Sequence, residues 1–362
     1  MTAPAPISAP PSGPAHAPRR PAGLLRGLGV LAAAAALAVT TALPARASTP
    51  GPQILAPLPG GTFSSAYGLD DRGVVVGYSG TANGQRHAAR WSPSGRVTDL
   101  GTLPGDTHSE AYTVREDGTV IGMSSRPGER DRGVRWTPSG QAVELPGLPG
   151  ATVTRGYVIN NSGVVVGISS TPGGVHRPVK WSPSGRITEF ATRPGDTAGG
   201  VGAINDAGVA VGYSGVPGGI LTSMRWAPDG SYTTLPPLPG DDSSHASWIN
   251  NAGAAVGHSY VAGSGLIRPL RWAADGTPHA LDLPAGDSGG SSWGINDLGY
   301  STGYTYAPGG AAHAVVWTPD GSVHRLGALK PGDSEGYQIN LSGVVAGYTT
   351  EDGASRATAW KP

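Results

Sequence analysis

Two glutamates, Glu110 and Glu335, stand at the same phase of a sequence that repeats about every 45 residues. The phase is set by the first residue of a recurring short turn: Asp70, Arg115, Asn160, Asn205, Asn250, Asn296 and Asn340. Five residues before it lie Ser65, Glu110, Arg155, Gly200, His245, Ser291 and Glu335. Three before it lie Tyr67, Tyr112, Tyr157, Gly202, Ser247, Trp293 and Tyr337. Residues two apart on a strand share a face, so both sets point the same way. A pair of carboxylates is the minimum for acid–base cleavage of a glycosidic bond. Carboxylates, a guanidinium and aromatic rings together suit the binding of a sugar or another polar polymer. The chemistry is concentrated in copies seven, one, two and three, whereas copy four supplies two glycines. The candidate ligand-binding arc is therefore Ser65, Tyr67, Glu110, Tyr112, Arg155, Tyr157, Glu335 and Tyr337. If the protein is an enzyme, Glu110 and Glu335, with Ser65 between them, are the catalytic candidates. The plainer alternative is that the tyrosines pack between repeats and the polar groups are solvated at a rim.

Other motifs offer less. Gly257-His258-Ser259-Tyr260-Val261 begins like a nucleophile elbow, but Val261 stands where glycine is required and no helix follows. The histidines lack zinc-ligand spacing, and no calcium loop or phosphate loop is present. A linker aspartate recurs (Asp106, Asp196, Asp241, Asp287, Asp333). It suits a turn-capping carboxylate better than a cation site. A basic residue recurs four before a repeated tryptophan (His87, Arg132, Arg177, Arg268, His313, Arg356; Thr222 breaks the series) and is expected to donate hydrogen bonds from one repeat to the next. No cofactor is implied and no metal site is expected.

The elements that must position these residues are short strands. In the first copy Ser65–Leu69 is β-compatible, and Asp70-Asp71-Arg72-Gly73 has the Asx and Gly of a type I turn. Val74–Ser79 is an apolar run without alternation, suited to a strand covered on both faces. His87–Trp91 is a third strand, Ser92-Pro93-Ser94-Gly95 a second turn, and Arg96–Leu100 a fourth strand. Tryptophans at 91, 136, 181, 226, 272, 317 and 360 mark seven such units, and Pro-Gly or a near equivalent recurs in phase with them. One four-stranded meander cannot bury both its faces, but copies stacked around an axis can. The sequence predicts an all-β, seven-bladed β-propeller with four-stranded blades of about 45 residues. The last copy stops at Trp360-Lys361-Pro362, before a fourth strand, while Gln53–Leu58 is a fourth strand without its first three. The N-terminal strand near residues 53–58 is expected to close the ring and remove its open edges. The seven tryptophans are expected to be structural, each burying ~150–250 Å².

The chain has 362 residues, 59 Gly, 34 Pro and no Cys. Disulfides therefore cannot lock the fold outside a cell. Residues 1–47 read as a cleaved export signal: Arg19, Arg20 and Arg26, an Ala/Leu-rich run, then Ala45-Arg46-Ala47. The remaining 48–362 is expected to be a single propeller domain. Residues 1–47 carry four arginines and no acid, leaving 21 basic against 25 acidic residues, a net charge of −4. That balance argues against a nucleic-acid partner. No second apolar span or lipidation signal argues for a membrane partner after cleavage.

The same residues resemble the secreted HAF-repeat family. His87-Ala88 and His313-Ala314 keep the first two letters of its His-Ala-Phe signature, Ile159–Gly167 keeps Ile-Asn-x-x-Gly-x-Val-Val-Gly, and Asp99–Gly105 matches its linker. The likeness covers about 58–360. The signature phenylalanine is absent, and Arg132, Arg177, Arg268 and Arg356 replace the histidine. The resemblance implies an extracellular repeat protein with a propeller-like fold, and it implies no particular activity. The leading functional expectation is a secreted, monomeric, non-catalytic propeller that binds an extracellular polymer, glycan or protein partner. The alternatives are a polysaccharide hydrolase or lyase, and a structural surface or matrix protein.

Overall fold

The computed structural model describes residues 51–171 and 173–361. The export signal expected over 1–47 lies outside these residues. Among the described residues there are 28 strands and no helix, arranged as seven four-stranded antiparallel sheets. In blade 1 the strands are Ser64–Leu69, Val75–Gly80, Arg86–Trp91 and Val97–Gly101, each within about a residue of its expected span. The innermost strands of blades 2 to 7 are His108–Val114, Val153–Ile159, Ala198–Ile204, Ser243–Ile249, Gly289–Ile295 and Ser334–Ile339. Each packs against the inner strand on either side, and that of blade 7 packs against that of blade 1. The fold is a closed seven-bladed β-propeller around an axial channel.

Closure occurs where expected. Blade 7 takes its outer strand from Gln53–Ile54, which pairs antiparallel with Ala354–Trp360 in the register Gln53 to Ala359 and Ile54 to Thr358. The paired segment is shorter than the 53–58 stretch, but Leu55 N donates to Ala357 O at 2.8 Å, and Leu55 and Leu58 are buried. Closure by hydrogen-bonded strand pairing leaves no open sheet edge at the seam.

Six of the seven inner hairpins turn on an Asx residue. In blade 3, Gly163 N donates to Asn160 O at 2.9 Å and Val164 N to Asn160 Oδ1 at 3.0 Å, with Gly163 at φ +81°. The Asn160 side chain also reaches the next blade, donating from Nδ2 to Asn205 O at 3.0 Å. The same link runs from Asn205 to Asn250, Asn296, Asn340 and finally Asp70 O. Asp70 has no amide to donate, and Arg115 replaces the Asx of blade 2.

The repeat tryptophans fill the blades. Six are 0 % exposed and Trp360 is 3 % exposed. Six of the seven indole N–H groups donate to a carbonyl in the linker, for example Trp91 Nε1 to Ala56 O at 2.7 Å and Trp272 Nε1 to Pro236 O at 2.6 Å.

Two expectations about the repeated polar residues resolve differently from each other. The linker aspartates are structural. Asp106 Oδ2 accepts from Ser124 Oγ at 2.8 Å, and Ser124 Oγ accepts from Leu103 N at 3.0 Å. The repeated basic residue, however, is mostly not a blade-to-blade donor. Arg132 bridges Asp106 and Glu144, Arg177 Nε reaches Glu189 at 2.6 Å, and His87 pairs with Asp99, all within one blade. Arg356, which donates to Thr62 O, is the exception. Small hydroxyls link the blades instead: Ala88 N donates to Ser109 Oγ and Gly133 N to Thr154 Oγ1, both at 2.8 Å. A short hydroxyl reaches an adjacent backbone without the rotamer entropy that a long arginine must lose.

Candidate functional site

The first two strands of every blade meet at a bulge. In blade 1 the pairing shifts between Ala66 and Gly68, leaving Tyr67 as the extra residue. Gly77 makes the bulge possible, because a Cβ there would lie 2.0 Å from Ser65 O. A bulge re-aims a side chain. Here it brings the tyrosines of successive blades together across the channel. The ring centroids of Tyr337 and Tyr67 are 5.2 Å apart, those of Tyr67 and Tyr112 are 5.7 Å apart, and those of Tyr112 and Tyr157 are 5.7 Å apart.

The belt does not stop at the expected arc. Trp293 of blade 6 lies 6.4 Å from Tyr337 and 6.4 Å from His258 of blade 5. His258 stacks on His245 at 5.4 Å with only 9° between the rings, and Tyr213 of blade 4 lies 4.9 Å from His245. Flat rings thus line the channel across all seven blades. The glycines of blade 4 leave no gap. A Cβ on Gly200 would sit 3.0 Å from Tyr213 Cε1, so the Tyr213 ring occupies the space, and Gly202 lets Ser247 O of blade 5 come close.

The structure places the expected residues as follows. Glu110 is 7 % exposed and forms an ion pair with Arg86, whose guanidinium also lies 4.5 Å over the Tyr78 ring. Arg155 Nε donates to Asp131 Oδ2 at 2.8 Å. Glu335 Oε1 accepts from Tyr348 Oη at 3.2 Å. Ser65 is almost fully buried and pairs across the hairpin with Tyr78. The four tyrosines are brought together. Each of the two glutamates is held by its own partner, Glu110 by Arg86 and Glu335 by Tyr348.

Sequence reasoning missed Tyr78, Tyr213, His258, Tyr304 and Tyr348. These stand eight residues after the turn residue, directly across the hairpin from the set five before it. Counting forward as well as back would have found them. Arg86 and Asp131, the partners of Glu110 and Arg155, come from the start of the third strand of the preceding blade and share one phase of the repeat, five residues before Trp91 and Trp136.

Burial dominates the electrostatics. It pushes the Tyr67, Tyr112 and Tyr337 phenols well above their ordinary value, and Tyr213 up to about 12. It depresses His245 to about 4 and, with the neighbouring imidazole, His258 to about 3. Glu335 is raised by burial, against the hydrogen bonds from Tyr348, Tyr337 and Trp293 that favour its charged form. Both imidazoles are neutral at pH 7.

A well-formed concavity of about 190 Å³ opens on the opposite face, at the Asx turns. Its polar groups are largely engaged with one another: Asp206 Oδ1 accepts from Asn161 N, Asn251 Oδ1 from Asp206 N, and Asp71 Oδ1 from Leu341 N. We read this mouth as part of the ring's fastening and place the candidate site on the face where the inner strands begin. Among the described residues, no group of three His, Asp or Glu side chains is arranged to hold a metal ion.

No family model matches the chain, and no curated protein matches it. Solved structures do. The fold is similar to a catalytically inactive variant of virginiamycin B lyase from Staphylococcus aureus with quinupristin (14 % identity, TM-score 0.54, covering 83 % of this chain and 96 % of that one). It is also similar to a streptogramin B lyase (15 %, 0.52, 82 % and 93 %) and to a puromycin-hydrolyzing peptidase from Mycobacterium tuberculosis (14 %, 0.58, 82 % and 50 %). At these identities the likeness is one of fold.

Proposed function

We propose that this protein is a secreted, non-catalytic binding propeller of the HAF-repeat kind, whose ligand is an extracellular polymer, glycan or protein partner. The observation that carries this reading is the belt of rings from Tyr157 through Tyr67 and Trp293 to Tyr213, which places flat apolar surface and polar edges around one channel. Such groups recognise a ligand by stacking and hydrogen bonding. Glu110 and Glu335 have separate partners, which favours binding over acid–base cleavage. Among the described residues no helix is long and apolar enough to cross a membrane.

The test is retention of purified 48–362 on insoluble polysaccharides, cell-envelope fractions and immobilised secreted proteins, with Trp293→Ala in parallel. Saturable retention of the wild type, weakened about tenfold or more by loss of the ring's stacking, supports the proposal. Wild-type retention on none of these surfaces overturns it and leaves the belt as inter-blade packing.

A further inference from the structure

The fold leaves a few of its cations unmatched, and they are not scattered. Residues 48–362 hold 21 lysines and arginines. Among the described residues, twelve of these pair with a carboxylate. Four more, Arg130, Arg135, Arg225 and Arg271, donate to backbone carbonyls. Of the five left over, Arg90, Arg96, Lys180 and Arg186 line two grooves between blades, and the fifth is Lys361. We propose that these grooves, on the flanks of blades 1 and 3, are paired sites for the anionic groups of an acidic glycan. They are separate from the aromatic channel, and the proposal shares with the reading above only its extracellular setting.

The two grooves are built alike. In blade 1 Arg90 lies directly across the outer strand pair from Thr98, and Arg96 stands two residues before Thr98. In blade 3 Lys180 lies across from Thr188, and Arg186 stands two before it. Each trio therefore shares one face of its sheet. The grooves measure about 500 and about 270 Å³, and no Asp or Glu lines either. Arg72 also lines the first, but Asp70 and Glu116 neutralise it. The facing walls are turn glycines of the following blades, Gly118 and Gly208, which add no charge. Lys180 Nζ lies 5.2 Å over the Phe190 ring, which holds its stem along the groove.

Other copies of the repeat show what the first of these positions does when it is structural. Arg135, Arg225 and Arg271 reach forward and clamp carbonyls in the turns of the next blade; Arg271 Nη1, for example, donates to Gly299 O at 3.2 Å and to Pro319 O at 2.9 Å. In those copies Gln141, Ser231 and Thr277 stand where Arg96 and Arg186 do. Copies 1 and 3 instead place two cations on one face and clamp nothing. Like charges on one strand face repel. An anion between them removes that repulsion and accepts charge-assisted hydrogen bonds from both.

The surroundings select the kind of anion. No aromatic side chain lines either groove, so bases have no stacking platform. The net charge of −4 over 48–362 opposes a densely charged strand more than a polymer with one anionic group every sugar or two. Thr98 and Thr188 are exposed beside the cations and can meet sugar hydroxyls. Two grooves on one molecule also let a long chain engage the second site intramolecularly once the first is filled.

The experiment is a calorimetric titration of 48–362 with hexamers of galacturonate and of chondroitin sulfate. Cellohexaose, a short DNA duplex and phosphatidylglycerol vesicles are run beside them. The expected result is saturable binding of at least one acidic hexamer at two sites per protein, weakened about tenfold or more by high salt, since exposed charges are screened. Arg90→Gln with Arg96→Gln should leave one site, Lys180→Gln with Arg186→Gln should leave one, and all four together none. Arg126→Gln with Arg130→Gln removes the same charge from the far end of blade 2 and should leave two. Melting temperatures check that each variant is folded.

Acidic-hexamer binding that survives all four substitutions overturns the grooves, as does an equal loss in the Arg126/Arg130 control, which would make net charge the cause. Equal or tighter binding of cellohexaose, the duplex or the vesicles overturns the acidic-glycan assignment. Failure of every anion overturns the proposal outright. It leaves the channel reading to its own retention assay, where Trp293→Ala and not these four substitutions decides the outcome.

Discussion

At the scale of single residues, the seven tryptophans are equivalent in burial but not in bonding. Trp136 Nε1 has no partner, and the carbonyl at the matching position, Gly101 O, accepts instead from Ser109 Oγ at 2.7 Å. Gly101 sits at φ +70° beside a register shift in the outer strand pair of blade 1, which re-aims that carbonyl. Replacing Trp91 by Phe orphans Ala56 O, whereas Trp136→Phe orphans nothing. Both lose similar ring volume. Trp91→Phe should therefore cost about 1–2 kcal/mol more than Trp136→Phe, measured as the difference in urea unfolding free energy. Glu335 yields a pH prediction. Its native pKa lies above its ordinary value of 4.5, so between the two the native state holds more protons than the unfolded state. The stabilisation from the protonated carboxyl is fully present below the ordinary value and is lost as pH rises through the native pKa. Glu335→Gln cannot ionise. Its melting temperature relative to wild type should climb as pH is raised from about 4.5 to neutrality, and a constant offset would contradict the assignment.

At the scale of elements, the strands were legible because Asx and Gly recur in fixed phase, and turn chemistry is local. Asn160 and Gly163 make the turn that their types predict. The bulge was not legible, since its cause is a close approach of Gly77 to Ser65 O that no local pattern announces. Plain alternation and the bulged hairpin both carry Tyr67 toward the channel, so the expected tyrosine set survived an incomplete account of the strand. The judgement on blade 4 fared worse. Gly200 and Gly202 left copy four outside the expected arc, but a glycine on one strand can mean that a large side chain on the next fills its place, as Tyr213 does. Side-chain identity across a hairpin pair had to be read jointly, and the one-sided count left His258 and Tyr213 of the belt unseen.

At the scale of the whole molecule, the ring was foreseeable from the mismatch between its ends; blade 7 is joined to blade 1 by inner-strand packing and by bonds such as Asn340 Nδ2 to Asp70 O and Ala357 N to Ser64 Oγ, but the outer strand that completes blade 7 is lightly attached. Two residue pairs, one further backbone hydrogen bond from Leu55 and the burial of Leu55 against Ala346 and Ala357 hold blade 7 to its outer strand, while the buried Leu58 is tied to blade 1 through its N–H to Ser79 Oγ at 2.8 Å. Two buried leucines contribute roughly 3–6 kcal/mol as an upper bound. That is a large share of the ~5–15 kcal/mol that holds a typical domain folded. Deleting residues through Leu58 should lower the urea midpoint sharply and expose the edge of Ala354–Trp360 to other chains. The check is a denaturation curve paired with gel filtration; an unchanged midpoint and a clean monomer peak would show that the ring holds without its fastening.

The closing strand also sets a clock. Gln53 meets Ala359 across almost the entire described chain, so this contact carries the largest loop-closure entropy in the fold and is slow to form. Blades 1 to 6 are built from neighbours in sequence and can zip one after another, but until the two ends find each other, two bare strand edges face solvent. The vulnerable interval in this protein's life is the time before closure. Refolding yield should therefore depend on how crowded the chains are during that interval far more than on how stable the finished ring is.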